Sequence, residues 1–177
     1  MESDFDDVYK YDRLLVDKYL SATKKDALEI TPIQRYEFAL TKAEEKILAD
    51  HWQNGIRAAS EKGSDIMRIQ VCDLPLMKEM KNQLVQLKAE ERHGGRHYAM
   101  TTVDFMKLAR NWDLNTQFWI FDDRRIVLCY FSNDGHILGY AEPVNEKLIS
   151  RLAAMKKRCL ESAMPVSEFL AKYGKRR

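Results

Sequence analysis

Phe118-Trp119-Ile120-Phe121-Asp122-Asp123-Arg124-Arg125-Ile126-Val127-Leu128-Cys129-Tyr130-Phe131 places two short apolar runs on either side of four charged residues. Neither run is long enough to stand alone as a helix, and a charged quartet between them is turn chemistry, so the stretch reads as a β-hairpin. The runs do not alternate. A strand with one face in water carries a polar residue at every second position, whereas both faces are apolar here, so both must be covered. Helices on each face would do this, as would helices on one face and a second copy of the chain on the other. A further turn, Ser132-Asn133-Asp134-Gly135, leads into His136-Ile137-Leu138-Gly139-Tyr140-Ala141 and extends the hairpin to a three-stranded antiparallel meander.

Downstream, Asn145 is placed as the N-cap of a long helix whose stripe is Leu148, Ile149, Leu152, Met155, Cys159, Leu160 and Ala163. Pro165 ends it, and a short closing helix buries Phe169 and Leu170 before Gly174. Upstream, His97 to Met100 reads as a short strand and Thr102 as the start of a helix carrying Phe105, Met106 and Leu108. Met67, Ile69 and Val71 alternate with Arg68 and Gln70, the pattern of a half-covered strand. Leu74-Pro75 opens a helix with Met77, Met80, Leu84 and Leu87 as its buried stripe, closing at His93-Gly94-Gly95. Leu28-Glu29-Ile30, followed by Pro32, Tyr36 and Phe38, reads as an extended stretch that proline confines to a sheet edge. Thr41 and Glu44 form a capping box for a helix through Ile47, Leu48, Trp52, Ile56 and Ala59 to Lys62-Gly63, with Asn54-Gly55 as a dividing point. Phe5, Val8, Tyr11, Leu15 and Tyr19 step like one face of a helix.

A length of 177 residues suits one domain, with residues 1–25 as a helical appendage and 26–177 as a single α/β domain. Hydrophobic residues at 45% and charged ones at 32% exclude a disordered chain. No apolar run approaches the ~20 residues of a membrane span, and Glu2, Asp4, Asp6 and Asp7 make an acidic beginning where a signal peptide is basic. Three cysteines without a CxxC point away from a disulfide framework, and a cytoplasmic location is the expectation. The net charge of +2 is unevenly spread. Residues 145–177 hold nine bases against three acids. That surplus is the solvated end of a helix, or else a polyanion contact through Arg151, Lys156, Lys157 and Arg158.

The candidate chemistry is sparse. His93 and His97 stand four apart, a spacing zinc sites use, but no CxxC or third close ligand accompanies them, and no metal is expected. Asp122, Asp123, Asp134 and Glu142 could hold a divalent cation, yet Asp122-Asp123 and Asp134 lie in opposite turns, roughly 15–20 Å apart. Asp122, Asp123 and Arg124 are therefore a charged turn, with a ligand or partner contact as the alternative. Neither GxSxG, GxGxxG nor GxxxxGK[ST] occurs, and no cofactor is expected. Cys72, Cys129, Cys159, Trp52 and Trp119 fall on apolar patterns and read as core, whereas Trp112 between Asn111 and Asp113 reads as exposed. Arg57 and Arg68 could converge at the end of the sheet on an anion, against the commoner fate of separate ion pairs. An enzyme of the phosphoesterase class would gather His97, Asp122, Asp123 and Arg68 around one concavity, within about 6 Å.

Ile56-Arg57-Ala58-Ala59 with Gly63, Met67-Arg68-Ile69-Gln70-Val71, Leu74-Pro75-Leu76, Phe118-Trp119-Ile120-Phe121-Asp122-Asp123-Arg124, Asp134-Gly135 and Leu138-Gly139 together resemble an uncharacterised family of small bacterial proteins. That family is mostly actinobacterial and often encoded beside helix-turn-helix regulators. The resemblance covers roughly residues 27–164. It implies a cytoplasmic regulatory or protein-interaction module, with a transcription regulator as partner, and carries no catalytic residue. The order of helix, strand with a central Arg, and late meander before a long helix is also similar to one half of a phospholipase D-like sandwich. Those enzymes need a His-x-Lys pair. Here His51, His93, His97 and His136 are followed two residues later by Gln53, Gly95, Ala99 and Leu138.

The expected fold is thus α/β (α+β), a central, mainly antiparallel sheet with helices on both faces. The expected function is non-catalytic regulation, with a homodimer as one arrangement. A phosphoesterase or nuclease-like enzyme and nucleic-acid binding through the basic C-terminal helices are the alternatives.

Overall fold

The computed structural model describes residues 18–32, 53–133 and 137–175. The hairpin forms where its two runs place it. Strand β4 (Thr116–Phe121) pairs antiparallel with β5 (Arg125–Phe131), Ile120 opposite Ile126 and Phe118 opposite Leu128. Between them Asp122 and Asp123 adopt φ of 50° and 57°, and the Arg124 N–H donates to the Phe121 carbonyl at 3.0 Å. This is a primed turn, whose twist matches that of its strands, built on a residue type that tolerates left-handed backbone.

Around the hairpin lie β1 (Asp26–Thr31), β2 (Asp65–Cys72), β3 (Gly95–Thr101), β6 (Ile137–Ala141) and β7 (Met164–Pro165). The helices are α1 (Lys78–Glu90), α2 (Thr102–Leu108), α3 (Glu146–Ser162) and α4 (Val166–Tyr173), with further helical backbone at residues 18–22 and 53–61. The sheet runs β6-β5-β4-β1-β2-β3-β7. β1, β2 and β3 are mutually parallel and every other pairing is antiparallel.

Helices of the same chain cover both faces. Leu28, Ile30, Ile69, Phe118, Ile120 and Leu128 meet Phe105 of α2 and Leu152, Met155 and Cys159 of α3. The opposite face carries two separate apolar patches. Ala27, Ile66, Trp119, Phe121 and Val127 lie under Tyr19, Leu20, Ile56 and Ala59. Cys72 and Ala99 lie under α1 (Met80, Leu84, Leu87) and α4 (Val166, Phe169). Trp119 is 4% exposed and Leu128 8%, so the non-alternating runs form an interior layer. Each large apolar side chain fully buried there contributes about 1.5–3 kcal/mol.

Several local expectations need correction. β1 is a central strand, flanked by β4 and β2, because Pro32 stands just past its last residue and removes no donor from the ladder. β2 is covered on both sides, since Arg68 and Gln70 face a polar interior rather than water. Helix α1 begins at Lys78, three residues after Pro75, and Met77 is 68% exposed as its N-cap. Thr102 starts α2 as expected, and Thr101 just before it caps the helix by accepting the Asp104 N–H at 3.1 Å. Asn145 caps α3 as expected, accepting the Leu148 N–H at 3.1 Å. Pro165 does more than stop α3: with Met164 it pairs with β3 as the short strand β7. Leu170 is half-buried, whereas Phe169 is fully so. Asn54 and Gly55 lie inside the helical stretch 53–61. The expectations for residues 5–15, Tyr36, Phe38, the Thr41/Glu44 box, Trp52 and Asp134 fall outside the described residues.

All three cysteines are buried thiols. Burial pushes Cys72 and Cys159 up to about 12, which leaves them chemically inert. Among the described residues no helix is long and apolar enough to cross a membrane.

Candidate functional site

Residues opposite one another on neighbouring strands project from the same face of a sheet. Glu29 of β1 lies opposite Arg68 of β2, and Arg68 opposite His97 of β3. The three form a polar row on the face with the two apolar patches. Arg68 grips Glu29 with both prongs, Nε at 2.6 Å and Nη2 at 3.0 Å, and Glu29 is 1% exposed. The same carboxylate accepts from the Thr31 hydroxyl at 3.1 Å and from the side-chain amide of Gln117 on β4. One step along β2, buried Gln70 donates to the Thr31 carbonyl at 3.0 Å and accepts from Gln83 of α1 at 3.4 Å. Glu90, the last residue of α1, is also buried and accepts from Gln86 at 3.4 Å through Oε1. Among the described residues its Oε2 and both ring nitrogens of His97 have no hydrogen-bond partner.

Burial sets the electrostatics. It drives the His97 pKa down to about 3, with help from the nearby Arg68 charge, so the imidazole is neutral. It drives Glu90 upward against the opposing pull of Arg68 and the Gln86 hydrogen bond. A Cβ at Gly95 would press on Ile56 Cγ2 at 3.3 Å and meet His97 Nε2 at an ordinary contact distance of 3.4 Å. The row therefore combines a carboxylate bound to a guanidinium, a neutral base and a carboxyl pushed toward its neutral form. Two residues beyond His97 stands Ala99, fully buried, where the His-x-Lys pair has lysine.

Of the residues expected around one concavity, only Arg68 and His97 come together. Asp122 is committed to the backbone entering β1, accepting the N–H groups of Lys24 (3.1 Å), Lys25 (2.8 Å) and Asp26 (3.2 Å). Burial pushes its carboxyl up, but those three donors prevail and hold it below the usual range. Asp123 accepts from Lys156 at 2.7 Å, and Lys156 also donates to Asp26 at 2.6 Å. Lys156 is therefore withdrawn from any polyanion surface, at 5% exposure, while Arg151, Lys157 and Arg158 remain outside. Arg124 borders a cavity of about 220 Å³ beside Tyr19, Lys24 and Arg125. Tyr19 donates to Glu142 at 2.5 Å, and the Arg125 guanidinium lies 5.1 Å from the Tyr19 ring centroid.

Arg57 does not share a ligand with Arg68; it lies 2.8 Å from His93 Nδ1 on the surface. Trp112 is half-buried rather than exposed. Its indole donates to the Thr116 carbonyl at 2.9 Å and packs 5.1 Å from Phe118. His93 and His97 diverge, one at the surface and one inside, and the described residues contain no cluster of three metal-ligating side chains. Glu29, Glu90 and Gln117 were not among the candidates. Glu29 had a signal: a lone carboxylate between Leu28 and Ile30 in a buried strand requires a cation, and Arg68 holds the matching place in β2.

Over residues 26–171 the sequence matches the family described as a domain of unknown function, DUF6879. The chain belongs to this family. No curated protein matches the DUF6879 chain. Among solved structures it is similar to NucT from Helicobacter pylori, with a TM-score of 0.50 and 13% identity over 88% of this chain and 93% of NucT. At that identity the likeness is one of fold alone.

Proposed function

We propose that this DUF6879 chain is a non-catalytic, phospholipase D-like module that works by binding a protein partner, a bacterial transcription regulator being the expected one. The observation that carries this reading is the Glu29–Arg68 pair. A guanidinium that stabilises a phosphoryl group must present its donors to the substrate. Arg68 spends a bidentate pair on a carboxylate buried in its own sheet. No lysine stands two residues after any histidine to supply a substitute charge. Leu74, Met77 and Val103, all exposed, lie just beyond the carboxyl ends of β2 and β3 and offer apolar surface to a partner.

The test is an assay of the full chain against single-stranded DNA, duplex DNA and bis(p-nitrophenyl) phosphate, run beside co-purification with an adjacently encoded helix-turn-helix regulator. The expected result is no turnover and a stoichiometric complex. Turnover that disappears in His97→Ala overturns the reading in favour of a nuclease-like enzyme.

A second reading rests on α3, whose outer surface presents Lys147, Arg151, Lys157 and Arg158 to solvent. Nucleic-acid binding through that surface would weaken steeply with salt. An affinity that is flat between low and moderate salt excludes it.

A further inference from the structure

We infer that Arg57, Arg92 and His93 form a surface site for a phosphate-class oxyanion, separate from the polar row. The three converge from two elements: Arg57 from the helical stretch 53–61, Arg92 and His93 from the single 3₁₀ turn Glu91–His93 that follows α1. Arg57 Nη2 lies 2.8 Å from His93 Nδ1, and Arg92 Nε lies 3.1 Å from His93 Nε2.

This arrangement is incomplete as it stands. Arginine has only donors, so both imidazole nitrogens would have to accept. A neutral imidazole carries a hydrogen on one of them, and an imidazolium on both. At least one arginine therefore faces a donor. Among the described residues neither Arg57 nor Arg92 has a carboxylate partner, in contrast to Arg96, four residues after Arg92, which pairs with Asp65. An oxyanion seated among the three resolves the conflict, since it accepts from both guanidinium groups and from a ring N–H at once. Burial, then the charges of Arg57 and Arg92, hold His93 below its ordinary pKa, and a bound anion reverses the two charge effects.

The scaffold is fixed where it needs to be. Gly94 closes the turn at φ 99°, and a Cβ there would approach the Ser60 side chain to 2.7 Å. The Ser60 hydroxyl donates to the Gly94 carbonyl at 3.0 Å. The turn is thereby clamped to the helix that carries Arg57. The shared ligand chemistry is a phosphate group, whether on a small phosphoester or in a nucleic-acid backbone.

The full chain is titrated with inorganic phosphate, glycerol phosphate and a short single-stranded oligonucleotide, following the His93 ring signals by NMR, assigned with His93→Gln. The expected result is a saturable shift with phosphate, weakened about tenfold in Arg57→Gln and in Arg92→Gln, both at exposed positions where folding is retained. Binding of the oligonucleotide much more tightly than of glycerol phosphate identifies the backbone as the source, and equal or weaker binding identifies a small phosphoester. His93 signals that stay still under phosphate, or move equally in the Arg57→Gln/Arg92→Gln double variant, overturn the site.

Discussion

Arg68 closes on Glu29 across two adjacent parallel strands, 2.6 Å and 3.0 Å from the two carboxylate oxygens, in the middle of the sheet. Removing one partner leaves the other charge stranded in a medium that solvates it poorly. Arg68→Ala should cost about 3–5 kcal/mol. Replacing both residues at once, Glu29→Leu with Arg68→Met, should recover most of that loss. Urea unfolding of the three variants checks both statements, and a double variant as unstable as the single one would contradict them.

His97 makes the fold sensitive to acid. Its folded pKa of about 3 lies far below the ordinary 6.5, so between those values the unfolded chain binds the extra proton. The associated stability is complete above pH 6.5 and drains away as pH falls, by about 1.4 kcal/mol per unit down to about pH 3. His97→Gln, which does not titrate, should flatten that acid limb in a series of thermal melts from pH 7 to pH 4.

Glu90 has the opposite sign. Its raised pKa means that the folded state holds the proton more tightly, so its contribution is present below the unfolded value and lost as pH rises through the folded one. Near neutral pH the carboxylate, whose Oε2 has no partner among the described residues, works against the fold. Glu90→Gln should therefore raise stability at pH 7 by about 1–3 kcal/mol and do little at pH 4. A variant no more stable than the parent at pH 7 refutes this.

Asp122 links the hairpin to the start of β1 through three backbone N–H groups. Asp122→Ala removes that acceptor and puts a residue ill suited to positive φ at 50°. The expected loss is about 2–3 kcal/mol, with faster hydrogen exchange at Lys24, Lys25 and Asp26. Asp122→Asn, which tolerates the same backbone and retains a side-chain oxygen, should lose less.

The covered hairpin, the meander and the long C-terminal helix were legible because each rests on local pattern: two runs without alternation, charged turns, and a stripe at helical spacing behind Asn145. What escaped depends on partners distant in sequence. The central position of β1 requires β4, some ninety residues later, to lie beside it, Leu28 opposite Ile120. A half-covered reading of β2 was the natural one, because Arg68 and Gln70 look solvent-facing until Glu29 and Gln83 are brought against them. Lys156 looked like one more base on an exposed helix face until the hairpin turn delivered Asp123 to it. Arg57 was recognisable as a ligand candidate, but the side chain beside it is that of His93, which Arg92 also contacts, and not that of Arg68.

Pro165 sits opposite Tyr98 in the two-residue strand that closes one side of the sheet. Lacking an N–H, it offers an incoming backbone little to template on, whereas β6 closes the other side with a five-residue strand. At that position a further strand would find no backbone donor, so the proline guards the end of the sheet it occupies against edge-to-edge pairing.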